Sequence, residues 1–262
     1  MNDDLVLERA GAVATVRMNR PESMNSLSRS LKDALVDVLG QLGQDETVRA
    51  VVLTGTGRGF CVGQDLREHI ALLEAGDAAP LSTVVEHYNP IVQALAGMPK
   101  PVIAAVNGMA AGAGAGFAFA CDFRIAAESA RFLLAFAGVG LSLDSGVSWT
   151  LPRLIGSARA TALALLAEPI DAQAAFDMGL VNAIVPDGNV LAAAQELAAR
   201  LAAGPTIAYA GIKEAIAFAG SSTLAAALAK EADLQDRSGA TADHADAVRA
   251  FVTKQKPTFT GR

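Results

Sequence analysis

The chain has 262 residues, 52% of them hydrophobic and 18% charged, with a net charge of −6. That is enough length and apolar content to build a substantial core without disulfides or metal, so dominant disorder is excluded. An acidic chain with scattered Lys and Arg argues against nucleic acid and anionic lipid as partners, though not against an anionic small molecule held by a few local cations.

Cys61 and Cys121, with His69, His87 and His244, are too few and too spread for a zinc-type cluster. With no disulfide framework, a reducing cytoplasm is the expected compartment. The acidic start, Met1-Asn2-Asp3-Asp4, lacks the layout of a signal peptide. Residues 102–121 approach the length of a membrane span. They are mostly Ala and Gly, broken by Asn107, a composition for close packing inside a protein.

Along the chain, Ala12, Ala14, Val16 and Met18 alternate with Val13, Thr15 and Arg17, which predicts a strand with one face inward. Leu31, Leu35, Val38, Leu39 and Leu42 form a helical stripe over 28–43, with Ser28 placed as its cap. Ala50 to Thr54 is a buried-type strand that runs into the glycine-rich loop 55–59. A polar stretch near 74–83 precedes a helix expected from about 84 to 97, and Pro101 to Val106 is another buried strand. Alternating strands and helices predict an α/β fold with largely parallel strands. After about residue 188 the pattern is helical, marked by Leu191, Leu197, Leu201, Leu224, Leu228, Val248 and Phe251. The expected division is a core over 1–190 and a helical region over 191–262.

Several glycine motifs fail. Gly112, Gly114 and Gly116 give G-x-G-x-G with Phe117 following, not the dinucleotide fingerprint. There is no Gly-Lys pair for a phosphate loop and no G-x-S-x-G nucleophile elbow. Two stretches that follow buried strands remain, Phe60 to Leu66 and Asn107 to Gly114. Small residues there either permit tight turns and helix packing or let a ligand lie against main-chain N–H groups. Two converging N–H groups would make an oxyanion hole, and a helix starting near Ala113 would add its dipole.

These motifs, in order, resemble the crotonase (enoyl-CoA hydratase/isomerase) superfamily: Asn19-Arg20-Pro21 with Met24-Asn25-Ser26-Leu27, then FCVGQDL at 60–66, then KPVIAAVNGMAAGAGAGFAFACDFRIA at 100–126. The resemblance continues through GLSLDSGVSWTLPRLIGSARA, DMGLVNAIVP and the terminal KPTFTGR, and so spans essentially the whole chain. It implies a spiral of ββα units, a C-terminal helical region used for trimerisation, and assembly as a homotrimer or dimer of trimers. It also implies an acyl-CoA thioester substrate, with no cofactor beyond the coenzyme A that the substrate carries. The oxyanion donors carried over by motif are the N–H groups of Gln64 and Ala113. Met24, Ser26, Cys61, Gly63, Asp65, Leu66, Gly112 and Leu141 fall at substrate-binding positions.

The resemblance departs at the acids. The two glutamates with which family hydratases handle water correspond to Gly116 and Phe136, neither of which can carry a proton. Asp144 instead stands in the apolar stretch Val139 to Val147. It reads either as a helix N-cap or as a proton carrier with a raised pKa, the role an acid takes here in family isomerases. HYNPIVQAL, AAGAGAG and the segment around Asp144 are most similar to the branch that rearranges a ring epoxide of phenylacetyl-CoA and moves double bonds from 3-enoyl to 2-enoyl-CoA. Leu143 and Val147 replace the Pro and Gly common there and are expected to crowd the acyl pocket.

Arg58, Lys213, Lys256 and Phe259 resemble positions near the nucleotide end of the substrate. Cys61 and His87 read as structural, and Trp149 as core or pocket wall. The expected activity is acyl-CoA isomerisation. The rivals are 2-enoyl-CoA hydration and thioester binding without chemistry.

Overall fold

Residues 3–262 are described by a computed structural model. The chain starts with an antiparallel hairpin of β1 (Leu5–Ala10) and β2 (Val13–Met18). It turns at Gly11, whose φ of +57° suits a residue without Cβ. Next comes α1 (Arg29–Gln44), whose cap Ser28 accepts a hydrogen bond from the Leu31 N–H at 3.2 Å. Its Leu31, Leu35, Leu39 and Leu42 are fully buried, each worth about 1.5–3 kcal/mol of apolar transfer.

Three ββα units follow. The first is β3 (Ala50–Gly55), β4 (Gly59–Cys61) and α2 (Leu66–Glu74), extended by α3 (Asn89–Gly97). The second is β5 (Val102–Val106), β6 (Met109–Ala111) and α4 (Ala113–Ala120). The third is β7 (Phe123–Ala127), β8 (Arg131–Leu133) and α5 (Val147–Ile155). After α6 (Ser157–Leu166), β9 (Ile170–Asp171), α7 (Ala172–Asp177) and β10 (Ala183–Val185), the chain is helical: α8 (Val190–Ala202), α9 (Thr206–Ala219), α10 (Leu224–Gly239) and α11 (Ala242–Val252).

The first strand of each unit joins a six-stranded sheet, β1-β2-β3-β5-β7-β10, parallel except at β1/β2. The second strand joins a smaller sheet, β4-β6-β8-β9, parallel except at β8/β9. Each unit therefore climbs from one sheet to the other, which is the crotonase spiral. The apolar run 102–121 is divided among β5, β6 and α4. No helix among the described residues is long and apolar enough to cross a membrane.

Four expectations change. β2 is buried on both faces, with Val13 and Thr15 as covered as Ala14 and Val16. The reason is α8, which packs across β2, β3 and β5 and donates from Gln195 Nε2 to Thr15 Oγ1 at 3.2 Å. The helix expected from 84 opens as a π-helical turn, Val84–Tyr88, before α3. Leu191, Leu197 and Leu201 pack on the core, but Leu224, Leu228, Val248 and Phe251 are exposed in the single chain. Trp149 is neither core nor pocket wall: it is 45% exposed, with the Arg153 guanidinium stacked 4.0 Å from its ring centroid.

Candidate active site

Two backbone segments meet behind the mouth of a cavity of about 1070 Å³. One follows β4. There Leu27 N–H donates to the Gly63 carbonyl at 2.8 Å and Asp65 N–H to the Leu27 carbonyl at 3.3 Å, forming a parallel bridge at Gln64. A parallel bridge of this kind uses the groups on either side of Gln64 and turns its own N–H away from Leu27. Gly63 makes the bend with φ +84°, and a Cβ on it would stand 3.0 Å from the Ala111 carbonyl oxygen and 3.4 Å from Ala113 N. The second segment is thus in contact with the first.

That second segment starts α4. Gly112 is its cap at φ +51°, and Ala113, as first helical residue, has an N–H with no carbonyl one turn back. All eight residues of α4 are buried. Gly114 lies so close to β4 that a Cβ would overlap the Cys61 carbonyl oxygen. Glycine inside a helix costs about 1 kcal/mol relative to alanine, a cost tolerated here because it lets helix and strand backbones touch. Gly63, Gln64, Gly112 and Ala113 all line the cavity.

Asp144 enters the cavity from the opposite side, in the loop before α5. Its cap reading is corrected: Gly146 caps α5, and Asp144 contributes only its carbonyl, which accepts from Val147 N–H at 3.0 Å. Ser145 (φ +50°) and Gly146 (φ +69°) are both left-handed, a tight turn that directs the carboxyl into the pocket. Burial raises the Asp144 pKa above the ordinary carboxylate value, and the Ser145 hydroxyl, donating to Oδ1 at 2.8 Å, offsets part of that rise.

The same turn accounts for Gly116. A Cβ there would meet Ser145 Cβ at 2.7 Å and the Ser145 carbonyl at 2.8 Å. A glutamate at 116 and the present Asp144 turn exclude each other. Phe136 puts an apolar ring on the cavity wall. Leu143 and Val147 do not crowd the cavity as expected. Val147 is fully buried against Gly116, and Leu143 packs on the core.

Of the other expected site residues, Ser26, Asp65, Leu66 and Leu141 line the cavity, whereas Met24 and Cys61 do not. Met24 backs Gly59, and Cys61 is fully buried. Burial pushes the Cys61 thiol up to about 12, which rules out a resting thiolate nucleophile. Asp65 is a structural clamp. It caps α2 through Arg67 N–H at 3.1 Å and accepts from Arg20 Nη1 at 2.9 Å and Ser26 Oγ at 3.0 Å. Burial works to raise its pKa, and the bonds from Arg20 and Ser26 hold it below the usual range.

His87 is structural as expected, bonded to Thr83 Oγ1 at 3.1 Å and Asp33 Oδ1 at 2.9 Å. Arg58 is exposed and away from the cavity. Lys213 pairs with Asp122 at 2.7 Å, Lys256 is exposed, and Phe259 lies against the C-terminal helices. None of the four reaches the cavity of this chain. Arg20, His69 and Tyr88 do line it. Arg20 was visible only as part of a motif, and His69 carried no periodic or spacing signal.

A family model described as enoyl-CoA hydratase/isomerase matches residues 8–262. The 1,2-epoxyphenylacetyl-CoA isomerase of Escherichia coli (strain K12) is 45% identical over 95% of this chain and 95% of its own length. The short-chain-enoyl-CoA hydratase of Clostridium acetobutylicum is 34% identical over 97% of this chain and 96% of its own. A solved structure from Mycobacterium abscessus superposes with a TM-score of 0.95 at 44% identity, covering 98% of this chain and all of the other.

Proposed function

Because the chain belongs to the enoyl-CoA hydratase/isomerase family, we propose that it is an acyl-CoA isomerase whose Gln64 and Ala113 N–H groups hold a thioester oxygen while Asp144 moves a proton. Ionised Asp144 takes a proton from the carbon next to the thioester carbonyl, and the C–H electron pair passes to the carbonyl oxygen. The oxyanion so formed faces the two N–H groups and the positive end of α4. Asp144 then returns the proton to the γ-carbon, so that a 3-enoyl thioester becomes a 2-enoyl thioester. A ring-epoxide thioester presents the same α-proton to the same carboxyl. No redox change or added group is needed, so coenzyme A, as part of the substrate, is the only cofactor-like group involved.

The observation that carries this reading is the facing pair: two backbone donors and one buried carboxyl across a single cavity, with Gly116 and Phe136 where water-handling glutamates would stand. Hydration is the second reading, favoured by the hydratase names among the relatives. A thioester-binding protein without chemistry is the third. Paired spectrophotometric assays separate them. Isomerisation predicts 2-enoyl product from 3-hexenoyl-CoA with little hydration of 2-hexenoyl-CoA; rapid hydration without isomerisation reverses the assignment. Binding with no turnover and no α-proton exchange in deuterated water leaves only the non-catalytic reading.

The region 191–262 is proposed as the trimerisation region, on the apolar surface that Leu224, Leu228 and Phe251 expose, giving a homotrimer or dimer of trimers. The two unpaired, buried cysteines fit a reducing compartment such as the cytoplasm.

A further inference from the structure

Tyr88 ends the π-helical turn Val84–Tyr88 and is 1% exposed, yet its hydroxyl has no hydrogen-bond partner. The hydroxyl of Thr83, at the start of that turn, is committed elsewhere: it accepts from Lys32 Nζ at 2.8 Å and bonds His87 Nδ1 at 3.1 Å. The ring is fixed from two sides, edge-on to Phe117 with centroids 6.1 Å apart and with Lys32 Nζ 5.9 Å from its centroid. Tyr88 lines the same cavity as Asp144 and is close enough that a charge on Asp144 acts on the phenol. A second polar atom in that wall, His69 Nδ1 on α2, is also buried without a partner.

A buried phenol hydroxyl among apolar neighbours is costly unless something bonds to it, and few are left so. Phe at position 88 would fill the same volume without that cost. Elsewhere the acyl side of the cavity is apolar, with Phe136, Val139 and Leu141. A wall built for a plain hydrocarbon chain has no use for a hydroxyl beside its acid. π-Helical turns are also frequent at functional sites, and this one carries Tyr88 to the cavity wall.

We propose that the cavity selects acyl groups bearing an oxygen atom near the reacting carbons, with the Tyr88 hydroxyl donating a hydrogen bond to that oxygen and His69 supplying a second polar contact. The proposal rests on the acyl-thioester reading of the cavity, but not on which reaction Asp144 performs. Tyr88 is thus a specificity-determining residue. It separates oxygenated from purely hydrocarbon acyl groups, because a site that hydrogen-bonds a substrate oxygen rejects the analogue lacking it.

Calorimetric titration of the full-length protein with hexanoyl-CoA, 3-hydroxyhexanoyl-CoA and 4-oxohexanoyl-CoA tests this, the last two placing oxygen at the β- and γ-carbons. The expected result is at least about tenfold tighter binding of one oxygenated thioester than of hexanoyl-CoA. Tyr88→Phe should abolish that preference while leaving hexanoyl-CoA affinity unchanged or tighter, and His69→Leu should reduce it. Equal affinities for all three thioesters, or a preference that survives in Tyr88→Phe, overturn the proposal. Repeating the titration with Asp144→Asn separates the two questions: the preference persists there if it belongs to Tyr88, even if isomerisation assays on the wild-type protein fail. Failure of all three thioesters to bind the wild-type protein would overturn the acyl-thioester reading and the proposal with it.

Discussion

The two walls of the cavity are built on opposite terms. On one side, Gly63-Gln64-Asp65 and Gly112-Ala113 offer main-chain N–H groups, and the side chains serve mainly to let backbones approach. On the other, the loop around Asp144 spends two consecutive left-handed residues, Ser145 and Gly146, to present one carboxyl. The first wall is fixed by sheet and helix, through the bridge to Leu27 and the start of α4. The second is a turn pressed onto Gly116. A site divided in this way can change its reaction by altering the side-chain wall alone while the backbone wall keeps holding the thioester.

Removing the acid is the sharpest test of that division. Asp144→Asn should lower kcat by about 10²–10⁴, the usual range for a lost general acid–base, with thioester affinity little changed. Comparable loss of binding would show that the walls are not separable. The same substitution carries a stability signature of opposite sign. Since the folded-state pKa is raised, the aspartate is destabilising once ionised. Its contribution to stability is fully present below the unfolded-state pKa and is lost as pH rises through the folded value. Asp144→Asn should therefore melt above the wild-type protein at neutral pH, and the difference should vanish as the pH falls toward the ordinary carboxylate value. Thermal melts across that range read it directly.

The backbone wall should respond to shape and not to side-chain chemistry. Gly63→Ala places a Cβ at φ +84°, 3.0 Å from the Ala111 carbonyl oxygen. It should displace the Gln64 N–H and reduce kcat on the order of 10²-fold, as loss of one oxyanion donor does. Gln64→Ala keeps the N–H and should stay within about threefold on the same principle. Equal damage from both substitutions would mean that the Gln64 side chain, not its backbone, acts on the substrate.

The two walls were also unequally legible in the sequence. Glycine spacing after two buried strands pointed to the backbone wall, since few other residue types tolerate such approach. The crotonase spiral followed from strand–helix alternation together with the motifs. Asp144 was legible as an acid in an apolar stretch, but not how it is held, because left-handed φ at Ser145 has no sequence signature comparable to that of glycine. The exclusion between a glutamate at 116 and the Asp144 turn is a contact between residues about thirty positions apart, which no local pattern encodes. Met24 and Cys61 belonged to the right segments but point behind the wall, an orientation decided by β4 packing against α4. Trp149 looked like core by residue type. Its position on the outer face of α5 is set by the residues buried on the other face, Val147, Thr150 and Leu151.

The smallest expected effect lies within the side-chain wall, at the hydroxyl that tunes the acid. Ser145 donates to Asp144 Oδ1 at 2.8 Å and so favours the ionised form against the effect of burial. Ser145→Ala keeps a Cβ in the same left-handed backbone but removes that donor, so the Asp144 pKa must rise further. If ionised Asp144 is the base, kcat/KM increases with pH through this ionisation, and the acid limb of the profile should move to higher pH in the variant. The plateau above the limb should remain near the wild-type level, because there both proteins carry the carboxylate. A limb that moves downward would assign the profile to another group, such as His69. A lowered plateau with an unmoved limb would make Ser145 a positioning residue instead. Either result would locate the division between the two walls more finely than loss of activity can, since it separates the charge on the acid from the place where the turn holds it.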